Sequence, residues 1–185
     1  MNTFSHIVSW LFGILLVALS GFVALETVSR KIFNYSFQGA DELGGYVLAV
    51  GGALSFSVAL IERGHIRIDL LHGRFSPRLQ AFLNWVAYVS LAIFGLFLAR
   101  YCWLVVRDTV EYGSVAPTAW ATPMIWPQSV WYGAMLIFTG ISVWTAIAAT
   151  RLLFSGEIDR LNDEYHTKSV MEELKEELDD LKARN

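Results

Sequence analysis

The sequence predicts an all-α membrane protein: four transmembrane helices, a short interfacial amphipathic segment after helix one, and a cytoplasmic C-terminal helix. Three observations predict this class. Apolar residues make up 55% of the chain and its mean hydropathy is +0.45, while only 17% of residues are charged, well below the quarter or so usual in a soluble domain. The apolar residues gather into four blocks, Ile7–Leu25, Leu43–Ile61, Ala81–Ala99 and Ser129–Thr150. Each is close to the roughly 20 residues needed to cross a hydrocarbon core about 30 Å thick. The blocks also lack the polar stripe of a soluble bundle: "VSWLFGILLVALSGFVAL" offers only Ser and Trp.

Taken in order, the spans cover about 7–28, 43–61, 81–104 and 128–151, within a transmembrane domain of residues 1–154. The first block has a small-x-small triplet at Ala18-Leu19-Ser20, as a cleavable leader would. Met1–His6 carries no Lys or Arg, however, and the apolar run is long for a leader, so a retained helix is expected. After it, Arg30–Phe37 mixes basic and aromatic residues, a pattern suited to lying flat at the interface. The third loop contains Pro117, Pro123 and Pro127, which rule out a continuous helix. It is expected to fold back over the helix ends. Residues 155–185 form an acidic tail. From Gly156 onward it holds ten Asp/Glu against five Lys/Arg, while the rest of the chain is net +2. Met171, Leu174, Leu178 and Leu181 in the tail follow a short a/d pattern, as in an amphipathic helix.

Loop charge sets the expected orientation. Arg63, Arg67, Arg74 and Arg78 follow the second span, whereas Arg107 alone follows the third. Lys and Arg in short loops stay in the cytoplasm, which places both termini there too. Arg30 and Lys31 argue weakly the other way. Tyr and Trp prefer the membrane interface, and most of them fall on the opposite, outer side.

The second span carries Gly45, Ala49, Ala53 and Ser57 at four-residue spacing. Small residues in this register let helix backbones approach closely, so this row is expected to be a packing face. Glu26 and Arg100 lie at the edges of apolar spans, where charges usually find a partner. Two pairings are open: Glu26 with Arg100, or Glu26 with Arg30 one turn away while Arg100 snorkels to water.

Chemistry is sparse. His65, Asp69 and His72 have ligand-like spacing, but Gly64, Gly73 and Pro77 break the segment and its arginines repel a cation. No histidine falls inside a predicted span, which argues against a bis-histidine haem. Cys102 is the only cysteine, so neither a disulfide nor a cysteine zinc site is expected. No catalytic triad, Walker loop or dinucleotide fingerprint is present. No enzyme activity, cofactor, metal or nucleic-acid partner is expected.

Three motifs remain: "GADEL" (Gly39–Leu43) opening the small-residue helix, "GHIRIDLL" (Gly64–Leu71) after it, and the proline-rich "SVAPTAWATP" loop. In this order, over roughly Ser9–Phe154, the chain resembles the small, DctQ-like membrane subunit of tripartite ATP-independent periplasmic (TRAP) transporters. Gly39, Asp41, Glu42, Gly64, His65 and Asp69 carry the resemblance. It implies four helices in the bacterial inner membrane, surrounded by membrane lipids, with both termini cytoplasmic. It also implies a large multi-helix partner that carries substrate and sodium, and a periplasmic substrate-binding protein that delivers an organic acid or similar solute. The small subunit would be a non-catalytic scaffold in sodium-coupled symport. "GHIRIDLL" would then be a structural signature of the inner loop rather than an active site. Two other classes stay open on the residues alone: a stand-alone proton-coupled exporter and a membrane anchor for a redox enzyme.

Overall fold

The computed structural model describes residues 3–62, 75–165 and 178. Its helices are α1 (Thr3–Phe33), α2 (Ala40–Ile61), α3 (Pro77–Tyr112), α4 (Ile125–Ser155) and the short α5 (Ile158–Tyr165). The first four are long and apolar enough to cross a membrane. Several polar side chains inside them are satisfied locally. Ser20, Thr27, Ser142 and Thr150 each donate to the carbonyl four residues earlier, at 2.7–2.8 Å, which removes the cost of an unmet hydroxyl in lipid.

The spans form a row rather than a ring. α1 packs on α2, α2 on α4, and α4 on α3, so the spatial order is α1–α2–α4–α3. α1 is the most weakly held: only Ser5 and Glu26 are buried along its 31 residues. Its main anchor is Phe12, whose ring fills the space where a Cβ on Gly51 would otherwise stand.

The α3–α4 seam is the tightest. Its α3 side presents Ala92, Gly95, Ala99, Cys102 and Val106, and its α4 side Met135, Thr139, Ser142, Ala146 and Ala149, all buried. The spacing alternates between three and four residues, as close helix packing through small residues requires. Thr139 Oγ1 sits 3.0 Å from Gly95 O across the seam and 2.8 Å from its own Met135 O. Trp85 Nε1 donates to Thr150 Oγ1 at 2.9 Å nearer the chain termini.

α4 ends at Gly156, whose left-handed φ of 76° lets Glu157 N return to Leu152 O, a glycine-ended helix terminus. α5 then turns back onto the bundle. Leu161 and Tyr165 are buried, Tyr165 meets Tyr88 edge-on at 4.9 Å, and Asn162 donates to Pro77 O at 3.0 Å. The start of the acidic tail is thus docked on α3 and α4. Of the a/d residues beyond it, only Leu178 is described, and it is exposed; the others lie outside the described residues.

The helices extend beyond the expected spans at most of their ends, and three differences bear on the loops. α3 continues eight residues past the expected end at 104, to Tyr112, where Gly113 caps it at φ 59°. α4 begins at Ile125, because Pro127 occupies its first turn, where a missing N–H costs nothing. Arg30–Phe37 is not one flat segment. Arg30–Phe33 completes α1, aided by the Glu26–Arg30 pair, and a loop follows in which Asn34 and Gln38 take left-handed φ of 51° and 57°.

Candidate functional site: the clasped loop end

The α1–α2 loop and the α3–α4 loop meet at one end of the row. The longer loop folds on itself through an isolated Val115–Pro123 bridge, with Ala116 N donating to Thr122 O and Met124 N to Ser114 O. This fold presents Thr118, Trp120 and Thr122 toward the start of α2.

Two buried carboxylates organise the end. Glu26, 3% exposed, accepts from Arg30 Nη2 at 2.8 Å, Ser36 Oγ at 2.5 Å and the Phe37 amide at 2.7 Å. It therefore fixes the path of the α1–α2 loop. Glu42, 6% exposed, accepts from Tyr46 OH at 2.9 Å and from the hydroxyls of Thr118 and Thr122, tying α2 to the far loop. Trp120 joins the two loops: its Nε1–H donates to Phe37 O at 3.0 Å, and its ring lies over Gly39. Each carboxylate is met by several donors, the condition for burying a charge.

The signature residues fall into two groups. Gly39 and Glu42 belong to this clasp, and Asp41 is exposed beside it. Gly64, His65 and Asp69 lie outside the described residues. The expected packing row splits. Ala53 and Ser57 are buried, Ala53 in the same cluster as Ala134, Met135 and Phe138, whereas Gly45 and Ala49 are exposed. With Gly52 they leave an open face of small residues on α2.

Glu26 pairs with Arg30, and α1 and α3 stand at opposite ends of the row. Arg100 is exposed, without an ion pair among the described residues, and twelve residues of helix separate it from the α3 terminus. An arginine at a helix centre costs roughly 2.5–3.5 kcal/mol on insertion scales unless it is paired. Arg107, nearer the terminus, has Asp108 and Glu111 at 3.8 and 4.0 Å.

Sequence reasoning missed Ser36, Thr118, Trp120 and Thr122. Their partners lie up to 83 residues away, and only the proline-rich spacing hinted that the loop folds back.

The four spans and the clasped end define a multi-pass helical membrane protein whose buried polar groups are used for structure. The family model "Tripartite ATP-independent periplasmic transporters, DctQ component" matches residues 19–155, and the chain belongs to this family. It is a transport component, not an enzyme. It is also similar to the sialic acid TRAP transporter permease protein SiaT of Haemophilus influenzae (strain 86-028NP), at 28% identity over 94 residues. That match covers 51% of this chain and 15% of the relative. No solved structure matches the chain.

Proposed function

We propose that this chain is the small, non-catalytic subunit of a sodium-coupled TRAP importer, scaffolding a large transport subunit that takes up an organic acid handed over by a periplasmic binding protein. One observation carries the reading: among the described residues the spans stand in a row, with α2 the main neighbour of α1. A row encloses no path between its helices, so transport would belong to a partner, while the open helix faces are available to hold one. The relative supports this division of labour, since the matched segment is a small part of a much longer permease chain. Its name mentions sialic acid, and an acidic sugar is a sensible first substrate to test.

The arginines Arg63, Arg67, Arg74 and Arg78 support an orientation with the termini in the cytoplasm and the clasped loops in the periplasm. The exposed Gly45–Ala49–Gly52 face of α2 is a contact surface for the large subunit. Reconstitution tests the whole reading. Liposomes with the large subunit, the binding protein and this chain should accumulate solute down a sodium gradient. Omitting this chain should abolish uptake, and this chain alone should move nothing. Uptake by this chain alone would refute the reading.

A further inference from the structure

Arg100 lies about one turn inside the outer edge of the third span, expected at 81–104, on a helix that continues to Tyr112. Its level is fixed by the α3–α4 seam: Gly95 lies against Thr139 and Trp103 stacks on Tyr132 at 5.8 Å. Arg100 lies between these two contacts, beside the outer third of the α4 apolar block Ser129–Thr150. Around it the open face of α3 is hydrocarbon, with Ile93, Leu96 and Phe97 each more than half exposed.

Two ways of neutralising this charge are disfavoured by geometry. No acidic group of this chain pairs with it among the described residues. Snorkelling to a lipid phosphate meets a directional obstacle. Helical side chains leave the backbone toward the helix N-terminus. The near end of α3 is its C-terminus, so Arg100 starts out pointing deeper into the membrane. Arg107 already occupies the charged level, seven residues or roughly 10 Å farther along the axis. What remains is an acceptor at the same depth, and a guanidinium fork matches a carboxylate through two parallel hydrogen bonds.

We propose that Arg100 is an intramembrane docking residue. The open face of α3 packs against a helix of the large membrane subunit that carries an aspartate or glutamate, and Arg100 pairs with that carboxylate. This rests on the small-subunit reading and adds to it the contact helix, the residue and the chemistry of the partner.

Co-purification of tagged chain with the large subunit tests it. The parent pair should co-purify; if it does not, the subunit reading itself falls, and this site with it. Given a parent complex, Arg100→Glu should lower recovery by roughly tenfold or more, because two carboxylates then face each other in hydrocarbon. Arg100→Leu should lower it less, since it strands one carboxylate without adding a second. It also gives the reading if the Arg100→Glu chain fails to insert. Reversing the partner carboxylate to arginine should restore binding to Arg100→Glu and weaken binding to the parent. Undiminished recovery of both Arg100 variants overturns the proposal. So does a loss that no reversal of a membrane Asp or Glu in the large subunit repairs, the outcome expected if a lipid phosphate were the acceptor.

Discussion

Trp120 covers Gly39 so closely that a Cβ added to the glycine would overlap the indole ring. The same indole donates to Phe37 O. One side chain from the α3–α4 loop thus holds the backbone that leads into α2, and it needs a residue without a side chain beneath it.

Gly39→Ala should therefore displace the indole and destabilise the isolated subunit by about 1 kcal/mol, the lower end of overpacking costs. In a Trp120→Ala background the same substitution should cost almost nothing, because nothing is left to displace. Thermal unfolding of the four variants in detergent measures this. Additive losses would mean that Gly39 matters for another reason.

Glu42→Ala should free the long loop, since Tyr46, Thr118 and Thr122 lose their common acceptor. Limited proteolysis should then cut within residues 113–124 while the spans stay protected. Glu42→Gln should give an intermediate rate, because the amide keeps one acceptor oxygen but loses the charge. Equal cleavage in all three chains would show that the loop is held by Trp120 alone.

A pair of mutant cycles separates the two pairings that the sequence leaves open. Glu26→Ala should destabilise more than Arg30→Ala, because Ser36 and the Phe37 amide also lose their acceptor. The Glu26–Arg30 double variant should lose less than the sum of its singles. The Glu26–Arg100 cycle in the isolated chain should be additive, the two residues standing at opposite ends of the row. Coupling there would contradict the observed helix order.

The split small-residue row makes a further prediction. Ala53→Leu should destabilise the isolated subunit by about 1–3 kcal/mol, because it overpacks the α2–α4 contact. Gly45→Leu should leave its melting temperature unchanged, since nothing lies within 4 Å of where its Cβ would be. It should instead reduce co-purification with the large subunit. If both variants behave alike in both measurements, the two halves of the row do not face different neighbours.

The sequence revealed what local physics controls and little of what distant contacts control. The four spans were legible because lipid leaves the backbone few choices. The Glu26–Arg30 pair was legible because i,i+4 neighbours share a helix face. The acceptor role of Glu42 was not, because Thr118 and Thr122 reach it only after the intervening helices have packed. The extension of α3 to Tyr112 was hidden because Arg107, Asp108 and Glu111 look like a loop when hydropathy alone is read. The α3–α4 seam was present in the spacing of Ala92, Gly95, Ala99 and Cys102. It stands out less than the α2 row because its spacing alternates between three and four residues, whereas the α2 row repeats strictly every four.

The order of helices in space differs from their order in the chain, and that has a consequence for synthesis. A nascent chain that has inserted α1, α2 and α3 holds one real contact, α1 on α2. α3 has no place to dock, and the Ala53–Ser57 side of α2 stays uncovered. Only when α4 arrives do α2 and α3 acquire a common neighbour, and α5 follows at once to seal the seam near the termini. The last span made is the one that the others wait for. A ribosome stalled before Ile125 would leave loose helices in the bilayer rather than most of a fold.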